Sequence, residues 1–125
     1  MKKILVDALQ SSKAPIVFRE IASGLPRPPL TDYRLQPIPE EWDPVVPPDL
    51  VAGNQIVPFA WDHSYAIFCI DTKTSQILLI DFEEPWPPTR TFETWQSFAA
   101  DLVQQFVENE PESVAAVRDL LSETT

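Results

Sequence analysis

"AIFCIDTKTSQILLIDF", residues Ala66–Phe82, decides the fold. Two apolar runs, Ala66–Asp71 and Gln76–Phe82, flank the polar connection Thr72–Ser75. Strand-forming residues on either side of a four-residue polar link predict a β-hairpin. Both arms are apolar at successive positions, and successive side chains of a strand point to opposite faces. The hairpin is therefore expected at the centre of a sheet, covered on both sides. "QIVPF" (Gln55–Phe59) reads as a further short strand before it.

After the hairpin, "TWQSFAADLVQQFVENE" (Thr94–Glu110) carries Trp95, Phe98, Ala99, Leu102, Val103 and Phe106 at helical spacing. Thr94 is a suitable N-cap, and Pro111 ends the run. A second helix is expected from Pro111, with Val114, Val117 and Leu121 on one face. Before the hairpin, Ile4, Leu5, Ala8 and Leu9 fit a short helix. "PIVFREIASG" (Pro15–Gly24) fits two structures. Pro15 at a helix start and Gly24 past its end favour helix, while the run Ile16–Phe18 favours strand. Residues 26–48 hold eight of the 14 prolines, interleaved with Tyr33, Leu35, Ile38, Trp42, Val45 and Val46. Missing amide donors exclude regular helix and central strand there. The interleaved apolar residues predict an ordered, extended segment lying over the domain. A hairpin followed by helices gives a single α+β domain over 1–125, with a central, mainly antiparallel sheet packed against helices. Its best-supported part is residues 55–106.

At 125 residues the chain suits one domain with a sizeable core. A single Cys excludes an internal disulfide and a Cys-rich zinc site, and it fits a reducing compartment. Only Ile4–Val6 separates Lys2–Lys3 from Asp7, too short for a signal-peptide core, and no run approaches a membrane span. A cytoplasmic protein without membrane contact is expected. Only Gly24 and Gly53 are glycines, so the Gly-rich phosphate cradles of nucleotide enzymes are excluded. Residues 1–36 hold six basic and three acidic residues, a balance of +3; residues 37–125 hold three basic and sixteen acidic, a balance of −13. Such a field opposes nucleic acid and favours a basic partner. A nucleic-acid binder would have to use the basic N-terminal third.

"WDHSYAIFC" (Trp61–Cys69) gathers Asp62, His63, Ser64 and Cys69. A hydrolase using His63 with Ser64 or Cys69 as nucleophile is the enzymatic alternative. Against it, a triad aligns its members in a chain of hydrogen bonds, which three consecutive residues do not achieve. "DHS" also fits turn chemistry, with His63 as a turn residue before a strand, and Cys69 sits in an apolar strand, where a thiol is inert. No catalytic residue, cofactor or metal site is therefore assigned. With one His in the chain, a metal would need His63 plus several carboxylates, such as those of "DFEE" (Asp81–Glu84).

"EEWDP" (Glu40–Pro44) and "EEPWPP" (Glu83–Pro88) each place a Trp beside two glutamates and prolines. Trp is enriched at binding hot spots, and rigid surroundings lower the entropy lost on binding. The candidate partner-binding residues are therefore Trp86, Glu83, Glu84, Trp42, Glu40, Glu41 and Asp43. Each Trp is either an exposed anchor or a cover for the core.

Residues 55–106 also resemble the SUKH superfamily of Smi/Knr-type domains. "IVPFAWDHSYAIFCID" is similar to its apolar-Pro-Phe strand leading through a polar turn into an aromatic-rich strand. "QILLIDFEE" looks like the next strand, acidic near its end. "TWQSFAADL" resembles the closing Ser-Phe-x-x-Phe-Leu-x-x-Leu helix, with Thr94, Trp95, Phe98 and Leu102 at the matching positions. "WDHS" stands where the turn often carries glycines. The resemblance implies an α+β fold and a binding role without catalytic residues. Many such domains look like bacterial immunity proteins that neutralise toxins, and others serve as scaffolds or accessory factors. The expectation is a non-enzymatic, immunity-type domain with a basic protein partner, a toxin or effector. A scaffold or secretion-accessory protein is the alternative.

Overall fold

In the computed structural model, which describes residues 3–33, 35–38, 55–62, 66–84 and 86–123 without the Tyr33 side chain, the hairpin is central. Strands β2 (Ala66–Asp71) and β3 (Ile77–Asp81) pair antiparallel, from Ala66 opposite Asp81 to Ile70 opposite Ile77. Asp71 shapes their connection. Its Oδ1 accepts from the backbone N–H groups of Lys73 and Thr74, at 2.9 and 3.3 Å. Ser75, at φ 64°, completes the reversal. β1 (Ile56–Asp62) and β4 (Arg90–Phe92) flank the hairpin, giving an antiparallel sheet in the order β1-β2-β3-β4.

The helices are α1 (Lys3–Ser11), α2 (Ile16–Ala22), α3 (Leu30–Tyr33), α4 (Trp95–Asn109) and α5 (Val114–Ser122), with a 3₁₀ turn at Pro111–Ser113 before α5. Thr94 caps α4 as its sequence position predicts. Its Oγ1 accepts from the Ser97 N–H at 3.1 Å, and the Ser97 hydroxyl accepts from the Thr94 N–H. Pro15–Gly24, open between helix and strand from sequence, forms α2. Val17, Phe18 and Ile21 bury one side of it completely. The short α3 departs from the expected absence of helix in the proline-rich segment. Leu30–Tyr33 is free of proline, and Pro28 and Pro29 precede it, where their missing N–H groups break no helical bond.

One sheet face meets the helices. Phe98 of α4 is fully buried and lies 5.2 Å from both Phe68 and Phe92, and 5.3 Å from Phe18, between ring centroids. Phe18 stacks on Trp95 at 5.0 Å, and the Trp95 indole N–H donates to Ser12 Oγ at 3.0 Å. That bond ties the α1–α2 connection to the start of α4. Each such ring removed from water contributes about 1.5–3 kcal/mol before entropic costs. The other face buries Ile56, Ile67, Cys69, Leu78 and Ile80, with Ile38, Trp61 and Phe82 packed against them. The hairpin is thus covered on both sides, as expected. Ile38 and the Gln36–Trp61 bridge show the proline-rich segment against the sheet as far as residue 38. Residues 39–48 lie outside the described residues.

β1 runs further than its sequence suggests. Trp61 and Asp62, read as turn residues, continue the strand, and Asp62 pairs with Ala66 and is buried. The cause is a bulge at Phe59, between the pairs Pro58–Cys69 and Ala60–Phe68. It turns Val57, Phe59 and Ala60 to the helix-covered core together. Bulges of this kind disturb the simple alternation by which a strand is recognised.

Candidate functional site

The β3–β4 connection, from Phe82 to Thr89, builds a hollow that joins a large exposed ring to acidic groups. It starts with Asp81, the last residue of β3, whose Oδ1 accepts from the Glu83 N–H at 2.7 Å. This local bond turns the chain out of the sheet, a role suited to a short carboxylate side chain. The connection closes where the Thr89 N–H donates to the Leu79 carbonyl at 2.8 Å, and β4 begins at Arg90. Between these ties the proline-rich "PWPP" excludes helix, so Trp86 is carried on a short, stiffened arch. Pro85 lies outside the described residues.

Asp81, Glu83, Glu84, Trp86, Pro87 and Thr89 line an open hollow of about 460 Å³. Trp86 is 49% exposed and belongs to neither core cluster. Among the described residues Leu25 and Val107 are the other large apolar side chains so exposed, and neither is aromatic. Trp95 is buried and Trp61 half-buried, so Trp86 is the open indole of the three that are described. Glu83 and Glu84 are exposed, and neither carboxylate has a hydrogen-bond or ion-pair partner among the described residues. The neighbouring cation is committed elsewhere. Arg90 pairs with Asp101 of α4 at 2.9 Å, and its guanidinium lies 4.7 Å from the centre of the Phe92 ring.

Of the sequence candidates, Glu83, Glu84 and Trp86 therefore come together at one hollow. Glu40, Glu41, Trp42 and Asp43 lie outside the described residues, as do His63 and Ser64. Cys69 is fully buried within β2, and burial pushes its thiol far above the usual range. By register it shares the face of Ile67 and Leu78, while Asp62 lies two residues beyond Ala60 on the helix-covered side. Asp62 and Cys69 thus project to opposite faces of the sheet. Among the described residues no group of three or more His, Cys, Asp and Glu is placed to hold a metal ion.

Three lining residues are not among the sequence candidates, Asp81, Thr89 and Pro87, the last standing next to Trp86 in "EEPWPP". Asp81 was visible as the first carboxylate of "DFEE", but its place at the rim comes from the turn it makes with Glu83. Thr89 gave no signal, because only the β3–β4 closure brings it there. In comparisons with protein-family models, curated proteins and solved structures, nothing matches this chain.

Proposed function

We propose that this chain is a non-enzymatic protein-binding domain of the immunity type, which neutralises a basic toxin or effector by occupying its surface. The observation that carries the reading is a half-exposed Trp86 set in a hollow where Glu83 and Glu84 have no cationic partner among the described residues. A large rigid ring held on an arch loses little freedom on binding, and hot spots are enriched in Trp. The balance of −13 over residues 37–125 adds long-range attraction for a cationic partner and repels nucleic acid. The resemblance to SUKH domains points to the same role. A cytoplasmic setting accords with it, and no helix among the described residues is long and apolar enough to cross a membrane.

The test is capture from a lysate of the source organism on the tagged protein, in parallel with the variant Glu83→Gln/Glu84→Gln/Trp86→Ala. A cationic protein retained by the parent and lost by the variant is expected. Added in equal amount, the parent should suppress that protein's harmful activity. If parent and variant retain the same proteins, this surface is not the binding site.

A further inference from the structure

We infer that the group seated in the hollow is an arginine side chain projected by the protein partner, its guanidinium lying on the Trp86 indole between the carboxylates of Asp81, Glu83 and Glu84. The inference rests on the protein-binding reading and narrows it to one kind of contact.

Three features of the hollow select this occupant. First, its charge is unbalanced. Glu83 and Glu84 have no partner among the described residues, and Asp81 uses one oxygen for the Glu83 N–H, leaving Oδ2 without one. Second, these carboxylates ring a space of about 460 Å³ without converging on a point, and no metal-holding group forms there. A wide cation with several donors suits that spacing, and a bare ion does not. Third, the wall is an open indole, the aromatic ring that attracts cations best.

Arginine meets these features better than lysine. Its guanidinium is flat, stacks on aromatic faces, is weakly hydrated, and offers five donors in a fixed fork. Lysine's ammonium is compact and strongly hydrated, so leaving water for a shallow site costs it more. The protein contains a simpler pairing of this kind at Arg90, which lies over the Phe92 ring while bonding the single carboxylate of Asp101. Around Trp86 a ring and acids stand together, and no guanidinium among the described residues pairs with them.

Two-dimensional proton–nitrogen NMR reads the site directly through the indole N–H of Trp86, assigned by its loss in Trp86→Phe. The probes are short peptides of alternating arginine and glycine, the same peptide with lysine, and the same with uncharged citrulline, at fixed low salt. The arginine peptide should shift the Trp86 signal and bind roughly threefold or more tightly than the lysine peptide. The citrulline peptide should leave the signal in place, and Glu83→Gln/Glu84→Gln should weaken the arginine effect. Equal binding of arginine and lysine peptides, or shifts that spare Trp86, would overturn the inference. Its failure is separable from that of the wider reading. A cationic partner still lost on Trp86→Ala while the peptides show no arginine preference removes only the arginine assignment.

Discussion

Phe98 is where the two halves of the domain meet. Its ring is buried and lies within 6.1 Å of Phe18, Phe59, Phe68, Phe92 and Trp95, which come from α2, β1, β2, β4 and α4 itself. Phe98→Ala leaves a cavity walled by five rings on separate backbones, which cannot collapse together. A loss of about 3–5 kcal/mol is expected in chemical denaturation, and a loss under about 1 kcal/mol would contradict this packing. On the opposite face Cys69 is enclosed by aliphatic side chains, and burial favours its neutral thiol. A thiol-directed reagent should therefore modify Cys69 only as the protein unfolds. The raised thiol also fixes a sign. Its stabilising contribution is whole below the ordinary thiol pKa of about 8.5 and is lost as pH rises, because the unfolded chain ionises first. Comparing the parent with Cys69→Ala in urea across that range checks it: the parent should lose more stability as pH rises.

At the scale of elements, the ends of the first two helices make a controlled comparison. Beyond α2 the Gly24 N–H donates to the Ile21 carbonyl and the Leu25 N–H to that of Glu20, with Gly24 at φ 99°. Beyond α1 the Lys13 N–H donates to Gln10 and the Ala14 N–H to Leu9, with Lys13 at φ 59°. Both are Schellman closures, which favour glycine at the left-handed position. A Cβ at Gly24 would meet nothing within 4 Å, so Gly24→Ala tests backbone strain alone. It should destabilise by about 1 kcal/mol, and Lys13→Gly should stabilise by about 0.5 kcal/mol, after the opposing change in unfolded-chain entropy. Thermal unfolding of both variants reads the two signs. Which elements were legible in the sequence follows from length and punctuation. The hairpin and α4 carry long periodic runs with a polar link or a cap, and both form as expected. Residues 15–24 stayed open because a seven-residue α2 holds too few positions to separate the two periods, and burial of Val17, Phe18 and Ile21 decides it. β4 was not foreseen. Three residues carry no pattern, and the strand exists because Arg90–Phe92 pairs with Leu79–Ile77. At the site, "EEPWPP" announced Trp86 and its acids through composition, whereas Asp81 and Thr89 join them only once β3 and β4 are paired.

For the molecule as a whole, charge and contact should act on different steps of binding. The acidic bias of residues 37–125 acts at a distance, across a Debye length of about 8 Å at physiological salt. On the proposed reading it should speed encounter with a cationic partner and fade as salt rises. Trp86 should act only on contact, once water has left the hollow, and so govern escape. Glu83→Gln/Glu84→Gln should therefore lower the association rate and flatten its dependence on salt, with a smaller change in dissociation. Trp86→Ala should leave association nearly unchanged and raise the dissociation rate, by about 2 kcal/mol or roughly thirtyfold if the ring is a hot spot. Because Trp86 lies outside both core clusters, its removal should leave the denaturation midpoint close to that of the parent. That separates lost affinity from lost folding. Stopped-flow association and surface-based dissociation against the captured partner measure both rates. An association rate indifferent to salt and to the glutamate changes would remove the electrostatic part of the mechanism. A Trp86→Ala variant that dissociates as slowly as the parent would remove the anchor.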